Sequence, residues 1–472
     1  MKSSWARLMV GSATVATTVF GAGVFTRAEF AALAVNQQEP QLFGVLIDPA
    51  YVTTPEVVRA AIAAAGGTVV EELPAVRLMV ASSPAPDFAT AVAGLSPVVR
   101  GAFPNLELPL EARFDGDASG VTMAGAALYE LQWSHRAIDV AGAWALGARG
   151  QGVRVAVLDT SIDAAHPDIT PNLNATLSRS FVPGEHWANT PGSNDHATAV
   201  AGTIAAADND VGIVGVAPAA EIVNVKVIRD RTGLVNVLGL FQGITYAADI
   251  GARVINMSWG IGPISRDGNC PTPPVPGCIT GAQLAALEEA FAVVTQYAHD
   301  HGVLLVSSAH NQGLDFDQSA NVIMVPQVSP HVLRISGTSP IGWALNPATN
   351  LDVPTWYTNF GQSYIHFAAP AGTRDAALAA TGQMCTGGDR TDLCAEFDKV
   401  ITPRFGGWQF SFGTSQAAPH LSGVAALVLS RYPHLTPNQV RARIRAGADD
   451  ILDPGHDAYS GQGRINAAKA VQ

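Results

Sequence analysis

Two patterns of apolar residues divide the chain. In residues 41–110 short strand-like and helix-like stretches alternate. Residues 42–47 read as an apolar strand, and Thr54-Pro55-Glu56 starts a helix with a capping hydroxyl and proline in the first turn. Gly66-Gly67 stops that helix, and 68–73 returns as a strand. A third strand is expected at 75–81, a second helix at 87–95 and a fourth strand at 98–103. This β-α-β-β-α-β order is the split βαβ arrangement, a small α+β unit with many uses.

From Gln132 onward the pattern changes. Near-continuous apolar runs at 153–158, 222–227, 254–257, 303–307 and 332–336 are separated by helical stretches such as 283–300. Strands apolar on both faces with helices between them predict an α/β fold, a mostly parallel sheet covered by helices on both sides. The chain closes with an apolar run at 424–430 and a helix capped at Thr436-Pro437. The domains expected are 41–110, an acidic linker and processing region at 111–128, and a large domain at 129–472.

The N-terminus adds an export signal. Lys2 and Arg7 precede an uncharged run at 8–25, and Thr26-Arg27-Ala28 offers small residues at a cleavage site, so 1–28 reads as a signal peptide. The run is long, which keeps an uncleaved membrane anchor as the competing reading. Four cysteines lie in two local pairs, Cys270 with Cys278 and Cys385 with Cys394. Neither spacing matches a zinc site, and two disulfides are expected in an oxidising compartment, with free thiols as the alternative. A net charge of -12 over 472 residues gives no reason to expect nucleic acid or an anionic membrane as partner.

Three segments carry chemistry. In VAVLDTSIDAAHPDI, Asp159 ends a buried strand; in NDHATAVAGTIAAA, His196 opens a helix; in SFGTSQAAPHLSG, Ser415 opens another. A nucleophile, a base and a carboxylate that orients the base are the parts of an acyl-transfer site. Their order along the chain is that of subtilisin, not of an α/β-hydrolase esterase or lipase, and GTSQA lacks the final glycine of the G-x-S-x-G elbow.

DTSID followed by HPD, HATAVAGT, VINMSWG, HNQG and GTSQAAPHLSG, in this order, resembles the subtilisin-like serine proteases from about residue 130 to the C-terminus. The unit before it resembles their inhibitory propeptide. The resemblance implies a secreted, self-processing serine endopeptidase that acts on peptide or protein substrates. It implies Asn311 as an oxyanion donor beside the Ser415 N–H, and Ser258-Trp259-Gly260 as a segment that pairs with extended substrate. Trp259 would border an outer substrate pocket, and Ala309 and His310 the pocket next to the scissile bond. No cofactor is expected for catalysis. A structural calcium ion is expected on Asp168, Asn209 and the carbonyls of Ala207, Val211 and Ile213, with Tyr129 or Gln132 near the last position. A monomer is expected, with its own propeptide as intramolecular inhibitor.

Four positions depart from the family's pattern: Ser161, Ala197 and His310 replace glycines, and Gln416 replaces a methionine. The glycine replacements matter wherever the backbone needs positive φ. They support a rival reading, a catalytically impaired relative that binds peptides. A narrow processing protease is a further one.

Overall fold

The computed structural model describes residues 41–95, 97–109, 128–190, 193–270, 278–388 and 390–472. The expected signal peptide and the expected linker at 111–128, save its last residue, lie outside the described residues. No helix among the described residues is long and apolar enough to cross a membrane.

The N-terminal unit has the expected order. It runs β1 (Gln41–Ile47), α1 (Pro55–Ala64), β2 (Thr68–Leu73), β3 (Leu78–Ser83), α2 (Phe88–Ala93) and β4 (Val99–Pro104). The sheet order is β2-β3-β1-β4, with antiparallel neighbours. Two local expectations change. The third strand begins at Leu78 rather than 75, because Pro74–Val76 forms a 3-10 turn that ends on Arg77 in the left-handed region at φ 56°. Thr54 makes no side-chain cap; its hydroxyl donates to the Tyr51 carbonyl instead.

Strand alternation explains how this unit is held. Phe43, Val45, Ile47, Met79 and Ala81 face α1 and α2, where Ile62 and Phe88 complete a small core. Their neighbours Leu46, Leu78 and Val80 point to the other face and join a second core built mainly by the large domain. The sheet is therefore apolar on both sides, and one of them needs the rest of the chain.

β5 (Glu107–Pro109) ends the N-terminal unit, and the large domain contains β6 (Arg154–Asp159), β7 (Arg179–Ser180), β8 (Glu221–Lys226), β9 (Leu234–Asn236), β10 (Val254–Met257), β11 (Ile261–Ser265), β12 (Leu304–Ser308), β13 (Val322–Val325), β14 (Val332–Ser339), β15 (Val353–Pro354) and β16 (Phe367–Pro370). The central sheet has the order β15-β14-β12-β10-β6-β8-β7, with β16 also on β14. All its pairings are parallel except β14 with β15. Helices α3 (His196–Ala205) and α6 (Thr414–Arg431) contribute to the core on one side, and α4 (Val237–Asp249) and α5 (Gly281–Asp300) to the core on the other. The apolar run at 424–430 is the second half of α6, and Thr436 forms the expected cap as a full capping box with Gln439. Both expected disulfides are present, Cys270–Cys278 and Cys385–Cys394.

The N-terminal sheet rests on α4 and α5. Phe103 meets Phe241 edge-on at 5.9 Å, and Phe241 meets Phe291 at 4.7 Å. Gly101 permits the approach: a Cβ there would fall 2.7 Å from the Ala286 methyl. Asn105 Oδ1 accepts the Leu238 N–H at the start of α4, where helix N–H groups lack internal partners. Beyond this contact β5 pairs antiparallel with β9, adding a strand to an edge of the large domain.

Two enclosed histidines meet at α6: His420 belongs to it and His135 packs against His420. His135 and His420 have ring centroids 6.4 Å apart, and His420 Nδ1 donates to the Gln416 carbonyl at 2.6 Å. Burial pulls His135 down to about 3 and His420 to about 4, from 6.5. The unfolded chain takes up these protons near pH 6.5 and the folded one does not, so stability is level above pH 6.5 and falls toward pH 4. Burial lifts Asp398 to about 6 and also raises Asp168, which opposes this over part of the window; burial lowers His366 as well, and three histidines outweigh two carboxyls. The melting temperature of a Ser415→Ala variant, chosen to prevent self-digestion, should be lower at pH 4.5 than at pH 7.5. Equal values would contradict this account.

Candidate active site

In a parallel sheet the C-terminal strand ends share one edge, where helix starts also gather. Asp159 is the last residue of β6 and is fully buried. His196 is the first residue of α3 and is 9% exposed. Its Nδ1 lies 2.8 Å and 2.9 Å from the two Asp159 carboxylate oxygens. That contact assigns the proton to Nδ1 and leaves Nε2 as the basic nitrogen. Asp159 Oδ1 also accepts the Thr160 N–H at 2.7 Å, and Thr160 Oγ1 accepts the Ala197 N–H at 3.0 Å. Strand end and helix start are thus tied twice.

Ser415 lies in the first turn of α6, whose N-cap is Gly413 at φ 137° with no capping side chain. First-turn N–H groups have no acceptor within the helix, so the Ser415 N–H is a donor at the site. The Ser415 hydroxyl donates to the Ser258 carbonyl at 3.1 Å. Asn311 Oδ1 accepts both the Thr414 N–H and the Thr414 hydroxyl, each at 2.8 Å. A methyl built on Gly413 would stand 3.6 Å from Asn311 Nδ2 and 3.9 Å from the Ser415 N. Both nitrogens therefore lie near one point, with Asn311 Oδ1 at 3.8 Å from it turned to Thr414. An acceptor oxygen placed there would meet two donors, the arrangement that stabilises a tetrahedral oxyanion.

The chain belongs to the subtilase family. The family's model, described as the subtilase family, matches residues 150–463. The chain is 32% identical over 346 residues to the thermostable alkaline protease of Halalkalibacterium halodurans, covering 72% of this chain and 74% of that protein. It is 31% identical to subtilisin E of Bacillus subtilis, covering 69% and 67%. Among solved structures, the epidermin leader peptide processing serine protease of Staphylococcus aureus is similar with a TM-score of 0.70, 20% identity, and coverage of 92% of this chain and 98% of that one. Fervidolysin of Fervidobacterium pennivorans gives 0.63 at 23% identity, covering 93% and 62%. The subtilase domain, its mostly parallel sheet and its activity as a serine endopeptidase follow from the family, whose members need no cofactor for catalysis.

The other expected site residues divide into two groups. Ser258 lies against the start of α6: its Oγ accepts from Asn256 at 2.8 Å and donates to the Ser415 carbonyl at 3.0 Å. Trp259 is not a pocket side chain. Its ring is 2% exposed, and its indole N–H donates to the Leu158 carbonyl at 2.6 Å. Alternation along β10 gives the reason. Asn256 and Ser258 face α6, whereas Ile255, Met257 and Trp259 face the core under α4 and α5. The methyl of Ala309 likewise packs with Tyr364 and Ile365. His310 and Gly260 do meet at the site. Of the three glycine replacements only His310 adopts positive φ, at 75°; Ser161 and Ala197 take ordinary backbone angles.

The expected calcium ligands come together only in part. Asp168 Oδ2 accepts the Trp408 indole N–H at 2.7 Å and the Ile213 N–H at 3.1 Å, and the Ala207 N–H reaches the Asp168 carbonyl. Asn209 Oδ1 accepts the Val211 N–H within its own loop. Gln132 grips Val214 through both ends of its amide. Asp168 Oδ1 is buried without a hydrogen bond, and burial raises this carboxyl above its usual range. One oxygen thus fits a cation, while Asn209 would have to turn.

Sequence reasoning missed a buried charge cluster beside the triad. Lys226 pairs in register with Asp159, and its side chain is fully buried. Its Nζ reaches Asp230 at 2.5 Å, Ser161 Oγ at 2.9 Å and Glu185 at 3.1 Å. Ser161 Oγ in turn donates to Asp230 at 2.6 Å, which gives this departure from glycine a partner. The signal was a lysine at the end of an apolar strand. Lys226→Met removes the cation and leaves two acids clustered, so it should cost on the order of 3 kcal/mol. Urea unfolding of the variant checks this, and an unchanged midpoint would contradict it.

Proposed function

We propose that Asp159, His196 and Ser415 form the catalytic triad of a secreted endopeptidase made as a self-processing zymogen. The observation that carries this is the His196–Asp159 hydrogen bond, with the one serine that opens α6 on the same sheet edge. Asp159 holds the imidazole with its proton on Nδ1. His196 Nε2 takes the Ser415 proton once that hydroxyl turns away from the Ser258 carbonyl. Ser415 attacks the peptide carbonyl, and the displaced electron pair rests on an oxygen held by Asn311 Nδ2 and the Ser415 N–H. His196 then protonates the leaving amine, and water releases the acyl group by the same steps. The glycine replacements lend little to an impaired relative: Ser161 and Ala197 avoid positive φ, and the Asp159–His196 hydrogen bond forms with them present.

The N-terminal unit acts as propeptide and inhibitor in this reading. Its support is the β5–β9 pairing, which sends the chain from the unit along an edge of the large domain. Substrate would add in the same way, through main-chain bonds. Export rests on the basic and apolar N-terminus and agrees with two disulfides. The protein acts as a monomer on peptide or protein substrates.

Ser415→Ala should abolish casein hydrolysis and accumulate as uncleaved precursor, with the normal cut falling between residues 110 and 131. Mature-sized Ser415→Ala protein made without added protease would refute self-processing. Asn311→Ala should lower kcat by about 10²–10³-fold with a smaller change in KM, as for the corresponding asparagine of subtilisin. Calcium, if held by Asp168 and the 207–213 loop, stabilises the folded state alone. Chelator should then lower the melting temperature, and Asp168→Ala should remove that response. No shift with chelator and no metal by elemental analysis would remove calcium from this reading.

A further inference from the structure

We propose that His310 and Gln327 fill the pocket beside the nucleophile and make the enzyme selective for peptide bonds that follow glycine or alanine. This rests on Ser415 as nucleophile. The scissile carbonyl carbon must lie within bonding reach of Ser415 Oγ, with its oxygen toward Asn311 and the Ser415 N–H. The α-carbon of the residue before the cut, P1, is one bond away. Its side chain has two walls to enter between: 258–260, which continues β10, and 309–311, which continues β12. These strands are neighbours in the sheet, so the gap between their extensions is narrow.

That gap is occupied. A Cβ added to Gly260 would fall 2.2 Å from His310 Nε2 and 2.6 Å from both Gln327 amide atoms. His310 and Gln327 are 2% and 0% exposed. Gln327 Nε2 lies 2.8 Å from the Trp259 carbonyl, from Ser307 Oγ and from His310 Nε2, so its two N–H groups are shared among one wall, the strand leading to the other and the imidazole. His310 holds its place at φ 75°, a conformation that strains a non-glycine residue and persists only where its surroundings hold it. A larger P1 side chain would have to displace this plug and break its hydrogen bonds; hydrogen or methyl would not. The expected processing region agrees with this. Of the 18 residues 111–128, eight are Gly or Ala.

The test uses mature enzyme and tetrapeptide anilides that differ only at P1, with Gly, Ala, Leu, Phe or Glu, read as kcat/KM. Ala and Gly should exceed Leu, Phe and Glu by about tenfold or more. His310→Gly, which relieves the positive φ, should raise the Phe/Ala ratio by at least about tenfold, and Gln327→Gly should raise it in the same direction. Labelling by diisopropyl fluorophosphate reports the nucleophile independently. Labelled wild type that prefers Leu, Phe or Glu overturns the pocket assignment, as does an unchanged ratio in both variants. Absence of labelling with no cleavage of any substrate overturns the protease reading and this inference with it.

Discussion

The contact between Asp159 and His196 is possible only because the sheet is parallel. Each parallel strand must be followed by a crossover, so strand ends and helix starts collect on one edge. β6 delivers the carboxylate there, α3 the imidazole and α6 the hydroxyl, from positions up to 256 residues apart in the chain. Buried polar groups then fix each element to the next. Thr160 joins β6 to α3, and Asn256 joins β10 to α6 through Ser258 and Ser422. Unsatisfied buried partners are costly, so these bonds set the spacing of the site as well as holding it.

The N-terminal unit shows the same economy of faces. A sheet with apolar residues on both sides cannot leave one in water without exposing a large patch. Helices α1 and α2 cover one side, and α4 and α5 of the large domain cover the other. Arg100 adds an ion pair to Glu289 at 3.1 Å, but both partners are partly exposed and such pairs contribute little. Apolar burial and the helix-start contact of Asn105 are therefore the terms that hold the unit in place, and β5 follows from where they set it.

Residues that replace small ones at the site are accommodated in different ways. Ser161 gains a hydroxyl that joins the Lys226–Asp230 cluster. Ala197 sits in the first turn of a helix, where a methyl is unstrained. His310 alone takes a backbone conformation that glycine suits better, and it does so where its ring can bond Gln327. Backbone strain kept beside a nucleophile points to a role for the side chain that causes it.

The sequence alone determined the fold class, the strand and helix order of the N-terminal unit, five main strands of the large domain, and the three residues proposed for catalysis. These depend on local signals: period, caps, and short motifs in a fixed order. It also indicated Asn311 and both cysteine pairs. Tertiary structure decided what depends on which face a side chain takes and what lies opposite. Trp259 reads as a pocket residue from its motif, yet alternation along β10 turns it into the core. Asn209 matches a ligand position, yet its oxygen bonds its own loop. Gln327 and the β5–β9 pairing carry no local signature, because their partners lie elsewhere in the chain and meet only when the sheet is assembled, and the burial that gives Lys226 its role is set by the same assembly.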